Sequence, residues 1–333
     1  MINWQGKNGP LLIAEIGGNH EGNFNYAKQL TRQAIKSGVD VIKYQLYTGD
    51  GIVNKKISPE RNKHFKKFEL TKQQHIQLAK MCINAGVQYN ASIWDLEMIE
   101  WIDEYIKFYK IGSGDLTAYP IIREFAMRGK PILLSTGLSN LEEIKNTLNF
   151  IRKTNSIYKR KNMIAIMQCT SMYPCNDEDV NLNVIDNLKK SFNLNIGYSH
   201  HSFGDLALYV AYMKGAKILE FHFTDDRKGK TFRDHKISLD GKEVKNLVLK
   251  FKRIKKLLGN NKKIALKSEI KSGHLKSFRR AIYLNKDIKK GDEIKKDDLI
   301  CLRPNVGLDA RKENMILNKK SPKNFKAFKK INL

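Results

Sequence analysis

Short apolar, β-branched runs alternate along the chain with longer stretches whose apolar residues recur every three or four positions. Eight runs, at 11–17, 39–47, 87–94, 108–112, 131–137, 163–170, 195–201 and 218–224, read as strands. They begin mostly 20 to 32 residues apart, which leaves room for one helix per step. That count and spacing predict an α/β fold of the (β/α)8 TIM-barrel type.

The intervening stretches carry helix punctuation. Thr71-x-x-Gln74 and Ser139-x-x-Glu142 each match a capping box, and Gly38, Gly86 and Gly129 stand where helices should stop. Positions 239–258 put Val244, Leu247, Val248, Phe251, Ile254 and Leu258 at helical spacing with lysines opposite, as in an outer-ring barrel helix. One connection, 48–70, is too long for a turn and is expected to be a lid or binding loop. The expected domains are a catalytic barrel over 1–259, a polar, lysine-rich linker over 260–271, and a small β-rich domain over 272–333, where turn signals crowd together.

Polar residues gather where the predicted strands end. Glu15 closes the first, Lys43 and Gln45 share a face of the second, and Lys110, Ser113 and Asp115 follow the fourth. Ser135 ends the fifth, Tyr173 follows the sixth, Ser199 and His201 end the seventh, and His222 ends the eighth, with Asp234 beyond it. In a parallel barrel all these ends lie on one face, where barrel enzymes keep their chemistry. Buried lysines need an anion or a carboxylate, so Lys43 and Lys110 with Ser113, Ser135 and Ser199 make sense as a cradle for phosphate, or for phosphate plus carboxylate. His201 and His222, at equivalent ends of adjacent strands, are candidate metal ligands; imidazole suits several divalent metals, so the donors alone do not choose among them.

Composition narrows the class further. A hydrophobic fraction of 41% over 333 residues is that of an ordinary globular protein. No apolar run is long enough to span a bilayer and the first residues lack a signal-peptide pattern, so a cytoplasmic protein without a membrane partner is expected. Four cysteines, Cys82, Cys169, Cys175 and Cys301, show no paired short spacing that would mark a zinc knuckle. The net charge of +27 raises nucleic acid as a partner. Against that, the excess is dispersed lysine, as at Lys245, Lys250, Lys252, Lys255 and Lys256, and attraction of anionic substrates accounts for it equally well.

Seven motifs in order carry a resemblance: A-E-I-G-G-N-H-E-G, V-I-K-Y-Q, Y-K-I-G-S-G-D-L, P-I-L-L-S-T-G, Q-C-T-S-M-Y-P, G-Y-S-H-H-S and E-F-H-F-T-D-D-R. Together they resemble the N-acetylneuraminate (sialic acid) synthase family. The tail, R-R-A-I-Y-L-N-K-D-I-K-K-G-D-E-I through L-R-P, resembles that family's antifreeze-like SAF domain.

The resemblance implies a transferase that condenses phosphoenolpyruvate with an open-chain N-acylated hexosamine, giving a nine-carbon 2-keto acid and phosphate. It places phosphoenolpyruvate on Lys43, Lys110, Ser113, Ser135 and Ser199, and a divalent metal, Mn2+ before Mg2+ or Co2+, on His201 and His222. Glu15, Gln45, Tyr173 and Asp234 match the sugar pocket, with Glu15 and Asp115 as further catalytic carboxylates. Arg303 matches an arginine that reaches the sugar across a domain-swapped homodimer. Four positions depart from the family pattern: His200 for a usual aspartate, Asp115 for a glutamate, Ser171 for an asparagine, and A-S-I-W-D for S-T-P-F-D. They bear on which sugar is taken, N-acetylmannosamine or a 2,4-diacetamido-dideoxyhexose of the legionaminate or pseudaminate type. The rival readings are another phosphoenolpyruvate-dependent sugar-acid synthase and a basic, non-catalytic binding protein.

Overall fold

A computed structural model describes residues 2–332. Two compact units divide the chain, Met1–Gly259 and Asn260–Leu333. In the first, eight parallel strands close into a barrel in sequential order: β1 (Leu11–Glu15), β2 (Val41–Leu46), β3 (Gln88–Ile93), β4 (Tyr109–Ile111), β5 (Ile132–Ser135), β6 (Ile164–Cys169), β7 (Asn195–His200) and β8 (Ile218–His222). Each lies inside the run that predicts it. All eight are buried on both faces, the usual state of parallel strands under a jacket of helices, which is why they read as continuous apolar runs.

Strand alternation sorts the side chains into two cores. One face of the strands packs outward against the helices in a single large apolar cluster. The inward positions Leu11, Ile13, Val41, Phe108, Leu133, Ala165, Met167 and Ile218 fill the barrel around Trp4. Trp4 is fully buried, meets Phe108 edge-on with ring centroids 5.3 Å apart, and donates its indole N–H to the Asn162 carbonyl at 2.8 Å. Continuing up the same inward rows, the apolar residues give way to Glu15 above Ile13, Lys43 above Val41 and Glu220 above Ile218. The barrel is therefore a packed apolar plug at its amino end and a charged floor at its carboxyl end.

Local signals account for most of the helices. Thr71 and Gln74 form the expected capping box at the start of Lys72–Asn84. Gly38 and Gly129 cap Phe24–Ser37 and Tyr119–Arg128 in the left-handed conformation, at φ 91° and 73°. The outer helix is Gly241–Leu258 and opens with its own capping box, Asp240 with Glu243.

Two expectations change. The second capping box uses Asn140 with Glu143, one residue later than Ser139 with Glu142, and starts the helix Leu141–Thr154. Residues 48–70, expected to be a lid or binding loop, are largely helical: they fold into two helices, Gly49–Ile52 and Pro59–Phe68. Thr48 caps the first, Pro59 stands in the first turn of the second, and the buried Asn62 amide ties them together by donating to the Gly49 carbonyl at 2.8 Å. Such a tertiary bond is invisible to periodicity.

The second unit has its own core of Ile282, Leu284, Ile288, Ile294, Leu308, Ile316, Phe325 and Ile331. Its strands are short: β9 (Ala281–Leu284) pairs antiparallel with β11 (Leu299–Leu302), and β10 (Glu293–Ile294) with β12 (Lys319–Lys320). Residues 260–271 are exposed throughout and carry one helical turn, Lys267–Lys271. Among the described residues, no helix is long and apolar enough to cross a membrane.

Candidate active site

Strand register brings the polar ends together. Glu15 lies beside Lys43 on one side and His222 on the other, Ser92 beside Lys110, and Ser199 beside Glu220. His200 pairs with Phe221, so the next step sets His201 beside His222, and their ring centroids are 5.5 Å apart. Above this floor opens a cavity of about 950 Å3 lined by Glu15, Lys43, Gln45, Lys110, Ser113, Asp115, Ser135, Tyr173, Ser199, His201, His222 and Asp234. Each of the twelve candidate site residues of the barrel thus reaches one cavity. Arg303 belongs to the other unit, where it is exposed and its guanidinium lies over the Phe278 ring at 5.7 Å.

The floor is a lattice of buried charge. Lys43 Nζ is 2.7 Å from Glu15 and donates to Ser92 Oγ at 3.2 Å, while Lys110 Nζ is 3.1 Å from Glu220. Burial works against the charge of Lys43, but Glu15 and Glu220 outweigh it and raise its pKa. Burial likewise pushes Glu220 up, yet Lys110 and Lys43 more than reverse it and hold the carboxyl down at about 2. For Glu15 burial prevails over Lys43, and its pKa is raised. Burial also raises Asp115, with a hydrogen bond from Trp94 and the charge of Lys110 opposing.

The hydroxyls are set by backbone. The Gly137 N–H donates to Ser113 Oγ at 3.0 Å. A Cβ on Gly137 would come within 2.6 Å of Ser171 Oγ and 2.8 Å of Ser113 Oγ, so a larger residue in this turn after β5 would push both hydroxyls out of place. Beside the histidines, Tyr173 packs against His201 with centroids 4.1 Å apart and the rings tilted by 34°, and Arg233 lies over the Tyr173 ring at 4.4 Å while its Nε donates to Asp234 at 2.9 Å.

The two histidines fit a divalent cation. His201 Nδ1 lies 2.8 Å from the Thr170 carbonyl, a bond that requires the proton there and frees Nε2 as a ligand. His222 Nδ1 is buried without a hydrogen-bond partner, 3.8 Å from Asp234. Burial, reinforced by His222, holds His201 neutral down to about pH 3, the form a metal needs. Among the described residues no group of three or more His, Cys, Asp or Glu that could hold a metal ion stands around one point.

Sequence reasoning missed four contributors. Glu220 lies inside an apolar run and touches both lysines; its signal was its position two residues before His222 on the same strand face. Trp94, Arg233 and the aromatic rim of His64, Phe65, Phe68 and Phe232 also line the cavity. His200, the departure beside the metal histidine, points to the opposite face of β7. Its Nε2 meets the Gly204 carbonyl at 2.8 Å and its Nδ1 the Tyr198 hydroxyl at 3.2 Å, with no bond to His201. Cys169, expected to be an inert core thiol, is buried but lines this cavity, its Sγ 3.8 Å from His201 Nδ1, and burial raises its thiol pKa.

Residues 30–263 match the NeuB family. The chain belongs to that family. An N,N'-diacetyllegionaminic acid synthase of Campylobacter jejuni is 35% identical, over 95% of this chain and 97% of that protein. A pseudaminic acid synthase of the same species is 30% identical over 95% and 93%. Among solved structures, an N-acetylneuraminic acid synthetase of Leptospira borgpetersenii in complex with citrate superposes with a TM-score of 0.71 at 28% identity, covering 80% of this chain and 91% of that one.

Proposed function

We propose that this chain is a nonulosonic acid synthase: it joins phosphoenolpyruvate to an open-chain N-acylated hexosamine and releases a nine-carbon 2-keto acid and phosphate. One observation carries the reading: two buried lysines and three serine hydroxyls line one cavity with two buried histidines whose ring centroids lie 5.5 Å apart. The similarity to legionaminic, pseudaminic and N-acetylneuraminic acid synthases supports it.

Lys43 and Lys110 hold the phosphate and carboxylate of phosphoenolpyruvate, orienting its C3 toward the sugar's aldehyde carbon. The C3 electron pair forms the new carbon–carbon bond, and the aldehyde oxygen takes a proton. Water then adds to C2 with Asp115, whose raised pKa suits a general base, removing its proton. The resulting hemiketal expels phosphate by carbon–oxygen cleavage. Glu15, Gln45, Tyr173 and Asp234 line the sugar side, and Glu15 handles the proton of ring opening. His201 and His222 would hold Mn2+, or Mg2+ or Co2+, which when bound supplies a Lewis acid for the aldehyde oxygen. The second unit acts as an SAF domain whose Arg303 completes the sugar site of a partner chain in a homodimer.

The test is phosphate release from phosphoenolpyruvate and Mn2+ with each of three aldoses: N-acetylmannosamine and the two 2,4-diacetamido sugars, of manno and altro configuration. Turnover with at least one is expected. Turnover only with a phosphorylated pentose or tetrose and no N-acyl sugar would favour the other phosphoenolpyruvate-dependent synthases instead.

A further inference from the structure

The mouth of the cavity differs in chemistry from its floor. Where the floor carries buried charge, two aromatic clusters stand beyond the carboxyl ends of the strands. In one, Tyr47 meets Phe65 edge-on at 5.1 Å and stacks with Trp94 at 5.5 Å between centroids. In the other, Phe68 packs against Phe232 at 4.8 Å and against His64 at 4.7 Å. All six side chains line the cavity.

One helix supplies half of them. Arg61, His64, Phe65 and Phe68 recur at i, i+3, i+4 and i+7 along Pro59–Phe68, so they share the face that lines the cavity. Phe232 comes from the segment after β8, and its place is kept by Gly18 in the turn after β1, where a Cβ would come within 2.8 Å of the Phe232 Cζ. Tyr47 and Phe68 are buried, whereas Arg61, His64 and Lys67 are exposed, with the Arg61 guanidinium 5.8 Å from the Phe65 centroid and Lys67 Nζ 6.0 Å from that of Phe68. Rings therefore form the inner wall and the cations its solvent edge.

The proposed reaction takes place at the aldehyde carbon, beside the floor lysines and histidines, and Trp4 with the inward apolar residues closes the barrel below. The sugar has to extend upward, which brings its far carbons, C4 to C6, against the rings. An aromatic wall gains by covering methyl groups and leaves a hydroxyl pressed against it without a hydrogen-bond partner. The N–H groups of Arg61 and His64 at the edge suit an acyl carbonyl.

We infer that this aromatic rim, centred on Phe68 and Phe232, sets the sugar specificity: it selects a 6-deoxy aldose with a second acylamino group at C4 over one with free hydroxyls, or a phosphate, at C4 to C6. This rests on the proposed function, since it takes the sugar's aldehyde to react at the floor.

The test compares kcat/KM of the full chain, with phosphoenolpyruvate and Mn2+, for the 6-deoxy 2,4-diacetamido aldoses of manno and altro configuration, N-acetylmannosamine and N-acetylmannosamine 6-phosphate. One of the diacetamido sugars should be preferred over N-acetylmannosamine by about tenfold to a hundredfold, the range an apolar pocket reaches against an added hydroxyl. Phe232→Ala should lower kcat/KM for that sugar about fivefold more than for N-acetylmannosamine, and Phe232→Leu, which stays apolar, should keep most of the preference. If Phe232→Ala fails to fold, Phe232→Gln, similar in bulk but polar, should erode the preference in the same way. A wild-type chain that takes N-acetylmannosamine as well as the diacetamido sugars would overturn the inference and leave the proposed function standing. So would preference for the 6-phosphate, which would make Arg61 and Lys67 the reading groups, or an equal loss with every sugar in the Phe232 variants, which would leave the ring a structural role alone. A wild-type chain that turns over no N-acyl sugar refutes the proposed function and the inference with it.

Discussion

His201 and His222 look alike in the sequence, each a histidine at the end of an apolar run, but the structure gives them different supports. His201 is oriented by a backbone carbonyl and by the Tyr173 ring packed against it. His222 has an Nδ1 without a hydrogen bond, and it meets Tyr173 edge-on at 5.8 Å between centroids. A cation held by two protein ligands is expected to bind weakly and to be lost on removal of either. His201→Ala and His222→Ala should each weaken Mn2+ binding by more than about a hundredfold, beyond the loss typical of removing a ligand's hydrogen-bond partner, measured by calorimetry on the metal-stripped chain, with phosphate release falling in parallel. Both variants should keep the wild-type circular dichroism spectrum. Undiminished Mn2+ affinity in both would remove these residues from the metal site.

Elements decide how much of this was legible in the sequence. The eight strands and the polar side chains at their ends were readable, because a parallel barrel buries its strands on both faces and interrupts the apolar pattern only at the functional end. Glu220 was not read, because a single carboxylate inside I-L-E-F-H looks like strand body until Lys110 and Lys43 are seen across the barrel. The helices Gly49–Ile52 and Pro59–Phe68 were not readable either. The second has no apolar stripe, and its order comes from the Asn62 bond and from aromatic contacts such as Phe68 with Phe232, at 4.8 Å. Between Ser139 and Asn140, both good caps with a glutamate three residues on, the turn after β5 decides, with Leu138 in the left-handed region at φ 63°.

The packing of helix Lys72–Asn84 onto β3 leads to a pH prediction. His75 on that helix is buried, and its Nδ1 lies 2.8 Å from the Tyr89 hydroxyl. Burial lowers its pKa to about 3, and lowers those of His20 and His200 to about 4. The unfolded chain takes up these protons below about pH 6.5 while the folded chain does not, so stability falls as pH drops from about 6.5 toward 4. Each group contributes up to about 1.4 kcal/mol per pH unit. His75→Gln should make the loss of unfolding free energy over that window shallower by about one proton. An unchanged slope would show that His75 is not among the groups responsible.

At the scale of the whole molecule, the proposed role of Arg303 can be tested by asking whether it serves a cavity at all and, if so, which chain's. The resemblance that proposes a swapped homodimer makes a prediction that complementation can decide. His222→Ala removes a barrel ligand, and Arg303→Ala removes the arginine of the second unit; each homodimer should be inactive or nearly so. In a swapped heterodimer, the barrel carrying His222→Ala meets the Arg303→Ala unit of its partner and takes both defects. The other barrel is intact and meets an intact Arg303, so about half the sites are whole. A tagged and purified heterodimer should therefore regain up to about half the wild-type turnover, limited by how far one working site is independent of the other. If Arg303 serves its own barrel, each site keeps one defect and the heterodimer stays as inactive as its parents, which would exclude the swapped arrangement while leaving the barrel chemistry untouched.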